Sequence, residues 1–423
     1  MSRKQYNYIY LYYLVLLAFI VVRDSESAPN IIIRFTYLMA FFIPLVVKYN
    51  SFLPACLTCF MTVGIYGYSY NLFPYQMALY PIICILGLLF SQTKTQIGTK
   101  DFCFAALLLY ILIINLFDSG EPQNLFFSAL TVLCFALFSR KSTNDSSFYM
   151  MNCFSVSTLS LSLIYLVNYD KFLQVYNDAE GVVRSGWTDP NYLSCIIGMG
   201  LITSLILLLS KKRSNIILKC FWIATIVVAI ISQLLIASRG GVLAVAVSAC
   251  ALLFSSNIKR KHKLYAICGL LITIYILYSL GYFSLLEYRI ANDTSVGSGR
   301  EFIWRYKFDY YITHSNLLQL IFGMGADAAL NIGGKYIGFH NDFLAILCSY
   351  GVLGLIVFLY LLILPIFKSV QSQRTIVIVL LLYLAICCLT LEPISAGRLT
   401  YISFYFMIYL ISSSNSLLEE SPR

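Results

Sequence analysis

The chain has 423 residues, of which 60% are hydrophobic and only 11% charged, and its formal net charge is +10. Soluble domains carry about 25% charged residues, so water is excluded as the main solvent and residues 1–423 read as one integral membrane domain. The positive charge implies no nucleic acid partner: it is gathered in short breaks between apolar runs, where it would sit beside anionic membrane lipid headgroups.

Apolar runs long enough to cross hydrocarbon fall at about 6–22, 31–47, 52–68, 74–90, 102–117, 124–138, 147–167, 190–210, 215–234, 241–256, 264–283, 341–366, 375–390 and 398–413. They predict an all-α, polytopic transmembrane helix bundle of about fourteen spans, with twelve as the alternative count. No small-x-small cleavage site precedes Arg23, so the first run reads as a retained span. Cys56 and Cys59 form a CxxC one helical turn apart inside an apolar run, where packing explains them better than redox or metal chemistry.

Alternating the breaks puts Arg3, Lys48, Lys94, Arg140, Lys211, Arg260, Lys368 and Arg374 on one side, which the positive-inside rule makes cytoplasmic. Opposite lie two longer loops, at about 168–189 and 284–340, and a set of arginines that includes Arg184, Arg239, Arg289, Arg300 and Arg305. Guanidinium is a planar fork that grips phosphate oxygens two at a time and stays charged. Arginine on that face therefore points to phosphate.

Four constellations lie on this outer side. In GVVRSGWTDPNYLS, Gly181–Ser194, Asp189 before Pro190 suits a helix cap, while Arg184 has no such account. ASRGGVLA, Ala237–Ala244, has Gly240 and Gly241 for a tight turn and close approach to a ligand, with Arg239 beside a helix N-terminus as an anion site. The competing reading is a helical hairpin whose arginine only reaches to the interface. The 284–340 loop is too long for a plain connection. Within it Phe302, Ile303, Tyr306, Tyr310, Leu317 and Leu320 recur at helical spacing opposite Arg305 and Lys307, as in an amphipathic helix lying on the bilayer surface. Arg289, Arg300 and Arg305 would then surround a site beneath it. Last, GFHNDF brings His340, Asn341 and Asp342 to the start of a span. His340 is the acid/base candidate, and Asn341 and Asp342 also read as caps.

Apart from the CxxC of Cys56 and Cys59, no His or Cys pair has metal-ligand spacing and no nucleotide-binding motif is present, so no metal or cofactor is expected and energy must come from the substrate.

Together, DPN and SRGG at span starts, SGR followed by IW in the long loop, and HND before a glycine-bearing span resemble the O-antigen ligase and polymerase superfamily over about residues 180–366. The resemblance implies a metal-independent, inverting glycosyltransferase of the bacterial inner membrane. Its site would face the periplasm and its substrate would be an undecaprenyl-diphosphate-linked oligosaccharide. By position, Arg239, Arg300 and His340 take the family's catalytic places; Arg184, Arg289, Arg305, Asp189, Asn341 and Asp342 are expected at the substrate. About fourteen spans exceed the dozen typical of ligases, which favours a polymerase, with a chain-length regulator protein as a further partner. A ligase acting on lipid A-core is the runner-up, and a polysaccharide flippase or transporter is the reading from another class.

Overall fold

The computed structural model describes residues 144–167, 169, 190–210, 216–255, 260–292, 299–334, 338–391, 394 and 399–413. The first six expected spans, Arg184 and Asp189 lie outside the described residues. Within them the chain is helical: α1 (Asn144–Val167), α2 (Pro190–Leu209), α3 (Ile216–Ile236), α4 (Arg239–Phe254), α5 (Arg260–Ser279), α6 (Ser284–Asn292), α7 (Arg300–His314), α8 (Leu317–Phe322), α9 (Ala326–Leu330), a 3-10 turn at Ile332–Gly334, α10 (Asp342–Lys368), α11 (Gln371–Thr390) and α12 (Leu399–Ser413).

Each of the eight expected spans from residue 147 onward falls on one of these helices. Five helical segments are long and apolar enough to cross a bilayer, namely Met150–Val167, Pro190–Leu209, Ile216–Ile236, Asp342–Lys368 and Gln373–Thr390; α4 and Lys263–Ser279 are shorter apolar helices.

Lipid tails are as apolar as leucine, so helices in a bilayer associate through close packing and interhelical hydrogen bonds rather than through exclusion of water. The interior here follows that rule. Trp222 of α3 donates its indole N–H to Asn152 of α1 at 2.9 Å, and Ser204 of α2 donates to Ser155 of α1 at 2.7 Å. Tyr383 of α11 and Tyr401 of α12 donate to the carbonyls of Cys195 and Tyr192 in α2, at 2.6 and 3.1 Å. Helix α2 is thus the buried centre, and α4 lies against both α2 and α11. Leu264, Leu271, Ile272 and Tyr275 of α5 face outward, where a bilayer would receive them.

Helix α10 is kinked at Gly351, which takes φ 69 and ψ −173. The kink releases the carbonyls of Cys348 and Ser349, which accept the N–H groups of Met324 and Gly325 at 2.9 and 3.0 Å. Buried backbone groups are nearly always paired, so the long loop is drawn down against α10. A Cβ on Gly351 would lie 2.2 Å from the carbonyl oxygen of Ile321. Gly351→Ala is therefore expected to cost at least about 1–3 kcal/mol from its backbone conformation alone, read as a lower thermal midpoint of the purified protein.

This docking corrects the expected orientation of the amphipathic helix. Arg305 faces outward, but Lys307 is buried at 1% exposure, while Phe302 is 71% exposed and Tyr306 and Leu317 are also exposed. The face of α7 that turns inward meets backbone carbonyls of the 326–334 segment, which an ammonium satisfies and a phenyl ring does not.

Candidate functional site

Four helix N-termini, those of α2, α4, α7 and α10, gather at one end of the bundle around the C-terminal end of α11. At the start of α4, Ser238 donates to the side-chain oxygen of Asn191 in the first turn of α2, at 3.0 Å. One residue beyond Arg239, a Cβ on Gly240 would lie 3.0 Å from the hydroxyl of Thr390, the last residue of α11. Arg300, the first residue of α7, donates from Nη1 to the carbonyl of Thr390 at 2.6 Å. At the start of α10, the Asp342 N–H donates to the carbonyl of Leu391 at 3.0 Å, and its Oδ2 accepts the N–H of Ile394 at 3.0 Å. Thr390, Leu391 and Ile394 are thus the hub that joins three of the motifs, with the Asn191–Ser238 bond adding the fourth.

Such an arrangement has a definite electrostatic character. The first turn of a helix presents unpaired N–H groups and the positive end of its dipole. Those of α2, α4 and α7, beside half-buried Arg239 and Arg300, make an environment suited to a polyanion, whereas the first turn of α10 spends the Asp342 and Leu344 N–H groups on Leu391 and Asn341. Arg300 commits an Nη1 donor to Thr390, which fixes the direction of the fork.

The remaining predicted residues divide by what they touch. Half-buried His340 has the left-handed φ of 51, uncommon for a side chain of its size. Asn341 caps α10, its side chain accepting the N–H of Leu344 at 3.1 Å. The Asp342 carboxylate is fully buried and engaged with Ile394. Arg305 is 86% exposed and faces Asp309 at 3.8 Å, and Arg289 lies on the short helix α6. An open, mainly apolar groove of about 400 Å³ runs beside them, lined by Trp304, Arg305, Phe308, Asn341, Phe343 and Leu344 among others. No group of three or more His, Cys, Asp or Glu side chains that could hold a metal ion is found among the described residues.

The tight turn at SRGG differs from expectation. Its left-handed residue is Ala237, with φ 53, whereas Gly240 and Gly241 lie within α4. Their missing side chains admit Thr390 on one side and Ser194 with Gln233 on the other, where Gln233 and Ser194 hydrogen-bond each other. The glycine pair serves close helix packing. Sequence reasoning missed Thr390, Leu391 and Ile394; it quoted Asn191 and Trp304 within motifs and set Lys307 on the polar face without giving any of the three a part in the site.

These features define a polytopic helical membrane protein whose motif-bearing helix starts converge on one anion-suited site. Residues 224–359 match the family described as O-Antigen ligase. The matched segment spans less than half of the chain and holds Arg239, Arg289, Arg300, Arg305, His340, Asn341 and Asp342, and the chain is similar there to the O-antigen ligase family. No curated relative matches the chain.

Proposed function

We propose that the protein is a polymerase of O-antigen or a related surface polysaccharide, acting at the periplasmic face of the bacterial inner membrane. The observation that carries this reading is the gathering of four helix N-termini with Arg239 and Arg300 around Thr390, Leu391 and Ile394. In the reaction, an acceptor sugar hydroxyl on one lipid-linked repeat attacks the anomeric carbon of the growing glycan. The C–O bond to undecaprenyl diphosphate breaks as the new glycosidic bond forms on the opposite side, which inverts the centre. Negative charge grows on the departing diphosphate, and fixed guanidinium and N–H groups stabilise it where it develops. His340 takes the proton from the attacking hydroxyl or orients it. Neither a metal nor a nucleotide enters these steps. Arg184, Arg289 and Arg305 are auxiliary contacts to the diphosphate in this scheme, and a chain-length regulator is the expected protein partner.

Attachment of finished glycan to lipid A-core is the second reading, favoured by the description of the matched family. Donor chemistry is the same and only the acceptor differs. The family match lends nothing to transport of lipid-linked sugars. The test is twofold. Purified full-length protein given lipid-linked repeat units should extend the glycan without ATP and in the presence of a chelator, and no extension would sink polymerisation. Deletion in the producing bacterium should leave lipopolysaccharide bearing one repeat, whereas lipopolysaccharide bearing none identifies a ligase.

A further inference from the structure

A charged side chain with no surface is the most unusual feature outside the residues already assigned. Lys307 is 1% exposed, and an isolated buried ammonium is costly. It is held by the carbonyls of Ala329 and Leu330, at 3.2 and 3.1 Å, and by the face of the Phe339 ring, whose centroid lies 4.0 Å from Nζ. One turn earlier, Trp304 donates its indole N–H to the carbonyl of the same Phe339 at 2.7 Å. Phe339 is thus anchored twice from α7, through its ring and its backbone. The next residue is His340, and the one after, Asn341, is fixed as the cap of α10.

We propose that Lys307 and Trp304 are positioning residues that hold His340 in its left-handed backbone conformation and set its distance from Arg300. A non-glycine residue keeps such a conformation only where its surroundings over-determine it, and here both flanking residues are fixed, one by α7 and the other by α10. Arg300, Trp304 and Lys307 stand at i, i+4 and i+7, on one face of α7. A single rigid helix therefore carries the arginine that meets Thr390 at one end and the clamp on Phe339 further along. In the proposed transfer, on which this inference rests, α7 acts as a spacer between the group facing the departing diphosphate and the group facing the acceptor hydroxyl.

The experiment uses the full chain in lipid vesicles with lipid-linked repeat units. Lys307→Met keeps most of the length of the side chain but removes its charge and donors. It should lower kcat roughly 10- to 100-fold, as a misplacement of about 1 Å does, with KM for the lipid-linked donor little changed. Trp304→Phe keeps the ring and loses the N–H; it should act in the same direction more weakly and serves where Lys307→Met fails to fold. Either variant placed in a His340→Ala background should change the remaining rate by less than about twofold, because residues acting through one group are not additive. Diethyl pyrocarbonate labelling of His340, measured against exposed His314, should rise several-fold in both variants. Unchanged labelling with unchanged kcat would overturn the proposal, as would losses that multiply in the His340→Ala background. Absence of transfer by the unaltered chain would overturn the functional reading instead, and the labelling, which needs no turnover, would still decide whether the clamp holds His340.

Discussion

Arg300→Ala is expected to lower glycan transfer about 100- to 1000-fold, the usual loss when one preorganised donor to developing charge is removed. The fall should appear in kcat and kcat/KM alike, since the interaction strengthens only as the diphosphate departs. Arg300→Lys should recover little. Lysine supplies a point charge, whereas the guanidinium is a planar fork whose direction is set by its bond to Thr390. Losing the Thr390 bond also has a structural cost, of about 1.5–3 kcal/mol for a hydrogen bond to a charged group. The thermal midpoint must therefore be measured beside the rate. Arg239→Ala is expected to lose a similar factor. A variant retaining full transfer at either position would remove that arginine from the leaving-group role, and retention in both would remove the reading altogether.

Much of this arrangement is legible in the sequence because it depends on local pattern. Each expected span from residue 147 onward announces its helix by a mainly apolar run, and SRGG, SGR and HND each sit where a helix begins. Convergence is another matter. Thr390 and Leu391 take part through their backbone carbonyls, which every residue type possesses, so no side chain marks them as partners of Arg300 and Asp342. Ala237 shows the same limit from the other direction. Two glycines nearby suggested themselves for the turn, yet packing against Thr390 and Ser194 claims them and leaves alanine to adopt the left-handed conformation. Lys307 was read outward because an amphipathic pattern assigns lysine to the polar face. That rule assumes a water-facing exterior, and it fails where the exterior is lipid and the polar partners are carbonyls inside the protein.

His340→Ala is expected to cost roughly 100- to 10,000-fold in transfer, the range for a positioned acid or base. Alanine alone leaves two chemical roles unresolved, because proton acceptance from the hydroxyl and hydrogen bonding to a phosphate would both be lost. The backbone of residue 340 separates them. Its φ of 51 is a conformation that asparagine adopts more readily than most residues, so His340→Asn keeps the local fold and a hydrogen-bonding side chain while removing the basic nitrogen. If the histidine deprotonates the acceptor, the asparagine variant should be nearly as slow as the alanine variant. If it holds a phosphate oxygen, asparagine should recover a substantial part of the rate through its N–H group, and the remaining defect should fall on KM for the lipid-linked donor. Activity of His340→Ala within a few-fold of the unaltered chain would assign the histidine to the scaffold. Lys307 and Trp304 would then be holding a turn rather than a reacting group.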